Sequence, residues 1–154
     1  MNTPDISILI PARNEEFLGR TVQDILENAE GNIEVIVTLD GYLPTTPLMK
    51  DPRVTVIYNP VAVGQRAGTN QGAKIARGKY ILKSDAHCAF DKGFDVKMLQ
   101  GFKELGDDVT MIPNMKNLHA FDWVCDGGHR RYQSPSGNCE TCGKPTKKDV
   151  VWIA

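Results

Sequence analysis

Two side chains that can bind a metal ion follow a short apolar run in the middle of the chain. Asp85 and His87 come directly after residues 79–83, which predict a buried strand because Tyr, Ile and Leu pack well in sheets. Ligands usually bind at the carboxyl ends of strands in a parallel α/β sheet. A carboxylate and an imidazole one residue apart there predict a divalent-cation site. An Asp that forms a turn beside an exposed His is the alternative that so short a motif leaves open.

A second group of metal-binding residue types lies nearer the C-terminus. Its spacing is Cys-x3-His-x9-Cys-x2-Cys, from Cys125, His129, Cys139 and Cys142. Three thiolates and an imidazole suit tetrahedral Zn²⁺, and four protein ligands leave no open position, so we expect a structural zinc that staples the loop. Two disulfides or free thiols are the alternatives. Cys88 stands outside this group, and we expect it to be a small core residue.

Composition and charge exclude several classes of protein. The chain has 154 residues, of which 41% are hydrophobic, enough for one domain with a core. Its 18 basic and 19 acidic residues give a net charge of -1, which argues against nucleic acid as the main partner. The sequence contains neither an apolar stretch of membrane-spanning length nor a signal peptide, so we expect a cytoplasmic protein without a membrane span.

Strand and helix patterns alternate along the first two thirds of the chain. Besides the strand before Asp85, apolar runs predict strands at residues 6–10, 33–39, 54–58 and 109–112. Helical spacing predicts one helix that starts at Asn14 as its N-cap, one in the segment 64–78 and one over residues 93–105. This order predicts an α/β sandwich with a mostly parallel sheet, in which several strand ends share one edge.

Four glycines interrupt the helical pattern of residues 64–78. Each lowers helix propensity by up to about 1 kcal/mol relative to Ala, so one face of this helix must stay small for a reason. Close approach of the backbone to a ligand and tight packing of the helix on the sheet both explain the pattern.

Four segments in this order resemble the family-2 glycosyltransferases. Residues 8–16 (ILIPARNEE) and 35–41 (VIVTLDG) resemble that family's first two strands with their loops. Residues 64–78 are similar to the segment before its metal motif, and Asp85-Ala-His87 stands where the family has Asp-x-Asp. The Asp-x-His form followed by Cys88 looks most like the polypeptide N-acetylgalactosaminyltransferase branch. The resemblance implies a GT-A fold, a Rossmann-type α/β/α sandwich.

The resemblance also implies a function. Such an enzyme binds a nucleotide diphosphate sugar, with a UDP-sugar favoured, and transfers the sugar to a glycan or protein acceptor. The residues implied at the nucleotide and its diphosphate are Pro11, Arg13, Glu15, Asp40, Arg66 and Asp85. Asp40 would bind the base or ribose and Arg66 the diphosphate or sugar, while Asp85 and His87 would hold Mn²⁺ or Mg²⁺. The family often has two adjacent acids at Leu39-Asp40, so a turn-forming Asp is the alternative for Asp40.

Three regions are expected along the chain. Residues 1–117 would form the nucleotide-sugar-binding domain, residues 118–148 the zinc-binding loop and residues 149–154 a returning strand. A chain that ends so close to a strand predicts the donor-binding half of a longer enzyme. No acid after Asp126 is placed to act as a general base, so the catalytic residue stays unassigned. His119 is either a further ligand of the catalytic metal or an exposed loop residue.

Two other functions fit parts of the sequence. A binding module would use the zinc-binding loop to contact nucleic acid or protein, with residues 129–132 (HRRY) supplying cations and an aromatic ring. A nucleotidyltransferase on a similar sheet would need a glycine-rich phosphate loop after the first strand, and residues 11–14 contain no glycine.

Overall fold

The chain forms two compact units. The computed structural model describes residues 3–153; unit 1 ends at Ile112 and unit 2 starts at Pro113. Met1, Asn2 and Ala154, which the predicted domain bounds include, lie outside the described residues.

Unit 1 is an α/β sandwich with a four-stranded parallel sheet. Its strands are β1 (Ile6–Ala12), β2 (Ile33–Asp40), β3 (Val54–Asn59) and β4 (Tyr80–Lys83). Its helices are α1 (Leu18–Asn28), α2 (Gln65–Ile75) and α3 (Phe94–Leu105). The strand order is β3-β2-β1-β4, and every pairing is parallel. The predicted α/β class with a mostly parallel sheet is confirmed.

The helices of residues 3–153 are all too short or too polar to cross a bilayer.

Alternating side chains on β1 separate the two faces of the sheet. Ile8 and Ile10 are fully buried in the main core, together with Val22 of α1 and Phe94 of α3. Leu9 points to the opposite face, where α2 packs. The sheet is therefore covered on both faces, which explains why all eight residues of β2 are buried.

The buried glycines of α2 allow this helix to approach the sheet closely. A Cβ on Gly72 would lie 3.3 Å from Leu9 Cδ2, and one on Gly68 would lie 3.2 Å from Thr38 Cγ2. Thr38 Oγ1 also donates a hydrogen bond to the carbonyl of Gly68 at 3.1 Å. Of the two explanations for the glycine pattern, packing on the sheet accounts for these two residues.

The start of α1 differs from the prediction. Asn14 is not the N-cap: it has a φ of 53°, and α1 starts only at Leu18, after Phe17, without a side-chain capping hydrogen bond. Asn favours both N-caps and left-handed turns, and the turn out of β1 uses the second preference. Glu15 consequently stays in the loop at the end of β1.

One strand prediction was wrong, and another was wrong in part. Residues 109–112 form no strand; Met111 lies beside Gly101 of α3, and Ile112 is 84% exposed. An apolar run becomes a strand only where a neighbouring strand accepts its backbone hydrogen bonds. β4 is a strand but not a buried one, since it pairs only with β1 at the end of the strand order and leaves Ile81 54% exposed.

A buried carboxylate joins three segments at the amino end of the sheet. Glu34 of β2 accepts hydrogen bonds from Ser7 Oγ at 2.7 Å and from the backbone N–H and guanidinium of Arg77 at 2.6 and 2.7 Å. Burial opposes ionisation of Glu34, but these hydrogen bonds outweigh it and lower the pKa of the carboxyl. The N–H of Gly78 in turn donates to Ser7 Oγ at 2.8 Å. This network fixes the chain just before β4.

Unit 2 contains a three-stranded antiparallel sheet. Its strands are β5 (His119–Cys125), β6 (Arg130–Tyr132) and β7 (Thr146–Ile153), in the order β6-β5-β7. The described part of the returning strand predicted at residues 149–154 is the end of β7. The register between β5 and β7 shifts between His119 and Phe121, where Trp152 has a φ of 57°, so β7 bulges at this residue.

Gly78→Ala is expected to destabilise unit 1 by about 1–3 kcal/mol, the usual cost of overpacking. A Cβ there would lie 2.5 Å from Ser7 N and 2.8 Å from Ile6 C, and neither backbone atom can move without disturbing β1. The control is Gly19→Ala in α1, where nothing lies within 4 Å of the new Cβ. Urea unfolding followed by the circular dichroism of the helices measures both, because the described helices belong to unit 1. Equal stability of the two variants would contradict the close approach.

Candidate functional site

The carboxyl edge of the parallel sheet gathers the loops that carry the predicted site residues. Glu15 follows β1, Asp40 ends β2, and Asp85 and His87 follow β4. The chain places β2 and β3 on one side of β1 and β4 on the other. The loops after β1 and β4 therefore leave the sheet at a topological switch point, where such sheets form ligand crevices.

Glu15 and His87 meet across this switch point. His87 Nδ1 lies 3.3 Å from Glu15 Oε2, and the two side chains are 56% and 34% exposed. A carboxylate beside Nδ1 orients the imidazole and leaves Nε2 available to a ligand. Both residues were predicted to belong to the site, but this direct contact between them was not.

Ala86 sets the direction of its two neighbours. Ala86 is 1% exposed and belongs to the main core, whereas the side chain of Asp85 is 46% exposed and pairs with the ammonium of Lys83. The N–H of Ser84 donates to the carbonyl of Leu9 at 2.9 Å, which extends the pairing of β4 with β1. Asp85 and His87 therefore face outward from a fixed backbone. A carboxylate suits Mn²⁺ or Mg²⁺ and an imidazole suits first-row transition metals, so the predicted role of these two residues as metal ligands stays a prediction.

Two polar residues on the buried face of α1 hold the loop that follows this motif. Thr21 Oγ1 accepts a hydrogen bond from the N–H of Cys88 at 3.1 Å, and Asp24 Oδ2 accepts one from the N–H of Phe90 at 2.6 Å. Thr21 is fully buried and Asp24 nearly so. Sequence reasoning missed both, although polar residues between the apolar positions of an amphipathic helix were the available signal.

Asp40 holds the loop that leads into α2. Its carboxylate accepts hydrogen bonds from the N–H groups of Val63 at 2.6 Å and Gly64 at 3.0 Å, and the residue is only 4% exposed. Gly64 has a φ of 89° and directly precedes α2. Asp40 thus positions the first turn of α2, where Arg66 lies. Its contact with a base or ribose stays a prediction.

The remaining predicted residues of unit 1 lie along the same edge. Pro11 is half-buried in β1, and its Cβ lies 3.7 Å from where Gly68 would carry a Cβ. Arg13 is exposed in the loop after β1, and Arg66 is exposed in the first turn of α2. Both residues are therefore accessible from solvent, Arg13 just after β1 and Arg66 at the start of α2.

A cleft of about 900 Å³ lies between the start of α1 and the loop after β2. Its lining includes Asn14 and Glu15 on one side and Tyr42, Thr45 and Thr46 on the other. The volume falls within the range of small-molecule sites. Sequence reasoning placed Glu15 in a pocket but missed the other side, where the available signal was a proline-rich loop shortly after Asp40.

Unit 2 brings its four potential metal ligands together. The ligand atoms of this Cys/His cluster lie within 4.8 Å of one another and belong to Cys125, His129, Cys139 and Cys142. No disulfide joins any two cysteines of residues 3–153. A hydrogen bond from the backbone N–H of Cys142 lowers the pKa of the Cys139 thiol to about 6. Across residues 3–153, no other group of three or more His, Cys, Asp or Glu ligands is so compact. The cluster could therefore bind a metal ion, as predicted.

The two arginines next to this cluster form ion pairs within unit 2. Arg130 Nε donates to Asp122 Oδ2 at 2.9 Å and also pairs with Asp149, while Arg131 donates to Glu140 at 2.8 Å. The binding-module alternative depends on these arginines as phosphate ligands, and the structure instead uses both to hold unit 2 together.

His119 belongs to the same polar network. It starts β5 rather than lying in a loop, and its Nε2 lies 2.7 Å from Asp122 Oδ1. Hydrogen bonds with His119 and Arg130 hold the pKa of the Asp122 carboxyl below its usual value.

Comparison with known proteins identifies the family. Residues 7–119 match Glycosyl transferase family 2. The chain belongs to this family. Two proteins similar to this chain are bacterial. "Putative colanic acid biosynthesis glycosyl transferase WcaA" of Escherichia coli (strain K12) is 33% identical over 133 residues, which cover 82% of this chain and 45% of that protein.

The second relative is "Putative glycosyltransferase EpsH" of Bacillus subtilis (strain 168), 29% identical over 119 residues, which cover 73% of this chain and 33% of that protein. The chain thus spans less than half the length of either relative. The match to Glycosyl transferase family 2 ends at His119, so the whole Cys/His cluster lies beyond it.

Asp40→Asn is expected to destabilise unit 1 by about 1–3 kcal/mol, because only one of the two terminal atoms of the amide, the oxygen, can accept a hydrogen bond. The other would turn an N–H donor toward the backbone N–H of Val63 or Gly64. Urea unfolding followed by helix circular dichroism measures the loss, with the exposed Asp108→Asn as control. If both variants unfold at the same urea concentration, the carboxylate does not hold this loop.

Proposed function

We propose that this chain carries the donor-binding part of a metal-dependent glycosyltransferase. It binds a nucleotide diphosphate sugar at the carboxyl edge of unit 1, for transfer of the sugar to an acceptor hydroxyl. The observation that supports this most is the contact between Glu15 and His87 beside Asp85, at the switch point between β1 and β4. Membership of Glycosyl transferase family 2 supports the reaction class.

Asp85 and His87 are the proposed ligands of Mn²⁺ or Mg²⁺. When bound, the ion neutralises the negative charge of the diphosphate leaving group. Glu15 would orient the His87 imidazole through Nδ1 and leave Nε2 available to bind the ion. Lys83 holds the Asp85 carboxylate through an exposed ion pair, which a divalent ion can displace because such pairs are weak.

The nucleotide and its diphosphate contact the loops on either side of this metal site. Arg66 lies in the first turn of α2, where a guanidinium and the N–H groups of a helix start both favour phosphate oxygens. Pro11 and Arg13 line the nucleotide beside Glu15, and Asp40 keeps the start of α2 in place. We assign this binding to the predicted domain of residues 1–117.

The proposed donor is a UDP-sugar, with a hexosyl or N-acetylhexosaminyl group. The Asp-x-His form of the metal motif, which resembles that of polypeptide N-acetylgalactosaminyltransferases, is the reason to favour UDP. In the transfer, the bond from the sugar carbon to the diphosphate breaks, and a bond from the acceptor oxygen to that carbon forms as the hydroxyl loses its proton. The Cys/His cluster takes no part, because four protein ligands leave Zn²⁺ no open position.

Asp85→Asn is expected to weaken binding of UDP in the presence of Mn²⁺ by more than about 100-fold. Loss of a residue that only orients a metal ligand usually has a smaller effect. The amide keeps the shape of the side chain but loses the charge that attracts the ion. Calorimetric titration measures the affinity, with GDP, TDP and CDP in parallel and Asp108→Asn as control. Unchanged affinity in Asp85→Asn for every nucleotide that binds the unaltered chain would remove the metal site from this proposal.

Glu15→Gln is expected to weaken the same binding by about tenfold, the lower end of the range for residues that orient a metal ligand. Glutamine can still accept a hydrogen bond from His87 Nδ1, but it carries no charge to polarise the imidazole. The same titration measures the change, with Glu104→Gln at the exposed end of α3 as control. A loss as large as that of Asp85→Asn would instead make Glu15 a direct ligand of the ion or the nucleotide.

A further inference from the structure

We propose that the Cys/His cluster binds one Zn²⁺ and that unit 2 depends on the binding of this ion to fold. The inference is independent of donor binding, since its residues all lie outside unit 1 and beyond the part of the chain that matches Glycosyl transferase family 2.

Two similar turns present the four ligands. In the turn between β5 and β6, the N–H of Gly128 donates to the carbonyl of Cys125 at 2.9 Å. In the turn before β7, the N–H of Gly143 donates to the carbonyl of Cys139 at 2.8 Å. Gly128 and Gly143 have φ values of 78° and 69°, which favour glycine because a Cβ strains this conformation. Each turn thus holds two ligands on its inner side, as a zinc knuckle does.

The distances between ligand atoms fit one tetrahedral ion. Cys125 Sγ lies 3.5 Å from His129 Nδ1 and 3.6 Å from Cys142 Sγ, and Cys139 Sγ lies 3.7 Å from His129 Nδ1. Bonds of about 2.3 Å to sulfur and about 2.0 Å to nitrogen give a tetrahedron edges of roughly 3.8 Å between sulfurs and roughly 3.5 Å between sulfur and nitrogen. A disulfide would instead require about 2.05 Å between two sulfurs.

Unit 2 has little else to hold it together. Its buried apolar side chains among the described residues are Ala120, Cys125, Cys139 and Trp152, so two of the four are cluster ligands. A unit of about 40 residues rarely folds on so small a core without a metal or a disulfide. Binding of the ion would therefore contribute the folding free energy that this small core does not provide.

The metal also fixes residues outside the cluster. His129 directly precedes Arg130, which pairs with Asp122 across the β5–β6 hairpin and with Asp149 of β7. Ordering of the turn at His129 thus places the guanidinium that connects all three strands. Loss of the ion should disorder the sheet of unit 2 as well as the turns.

The chain offers a selective readout for each unit. Both tryptophans, Trp123 and Trp152, lie in unit 2, whereas the described helices lie in unit 1. Tryptophan emission therefore reports unit 2, and the helix signal in circular dichroism reports unit 1. After removal of metal with a strong chelator, we expect emission to shift to longer wavelength while the helix signal persists.

Addition of Zn²⁺ to the metal-free chain should restore the emission with an end point at one ion per chain. Co²⁺ in place of Zn²⁺ should show the absorption of tetrahedral cobalt–thiolate coordination at the same stoichiometry. Absence of tetrahedral Co²⁺ absorption, tryptophan emission that does not respond to metal, or two disulfides found by mass spectrometry in freshly purified protein would each overturn the proposal.

Cysteine variants give the matched comparison. Cys139→Ser should lose stoichiometric Co²⁺ binding, whereas Cys88→Ser, outside the cluster, should retain it. His129→Cys should also retain it, because four thiolates suit the same tetrahedral ion. Equal Co²⁺ binding by Cys139→Ser and Cys88→Ser would overturn the assignment of ligands. If Cys139→Ser does not fold, the Co²⁺ titration of the unaltered chain and of Cys88→Ser still tests the site. Absence of thiolate coordination in the unaltered chain, or its loss in Cys88→Ser, would overturn the proposal.

Discussion

Parallel pairing on both sides of β1 is the constraint on which the rest of unit 1 depends. β1 pairs with β2 along its whole length and with β4 from Ile6 to Leu9, and its core residues are almost completely buried. Since all four strands run in the same direction, their carboxyl ends share one edge. The position of β4 beside β1 brings a residue from the middle of the chain, His87, against one from its beginning, Glu15. The candidate site is therefore a consequence of strand order.

Buried polar groups convert this strand order into a defined geometry. Thr21 and Asp24 fix the loop after β4, and Asp40 fixes the loop before α2, in each case through backbone N–H groups. Asp95, which is completely buried at the start of α3, accepts hydrogen bonds from the N–H groups that follow α1. A buried carboxylate that accepts such bonds is stable only in one arrangement of the chain. These residues specify the loops, while the apolar core supplies most of the stability.

Local patterns in the sequence predicted what depends on local interactions. Apolar runs located the four strands of the parallel sheet, and the spacing of Cys and His predicted their gathering, because the turns that hold them span only a few residues. Asn14 was assigned wrongly because a cap and a left-handed turn use the same residue type. The run at residues 109–112 was misleading because periodicity says nothing about whether a strand partner is present.

Contacts between distant parts of the chain were beyond prediction. Glu34 lies at the start of a mostly apolar strand, and its partner Arg77 lies 43 residues away. The contact between Glu15 and His87 spans 72 residues and follows only from the order of the strands. Family resemblance placed both residues in the site, but it carried no information on which of them touch.

The burial of Ala86 between Asp85 and His87 separates two roles within three consecutive residues. The side chain of Ala86 belongs to the main core, whereas Asp85 and His87 lie outside that core. Replacement of Asp85 or His87 would therefore remove polar contacts at the surface but no part of the core. A change of chemistry at Asp85 or His87 is thus compatible with an unchanged core, whereas a change at Ala86 alters the core itself.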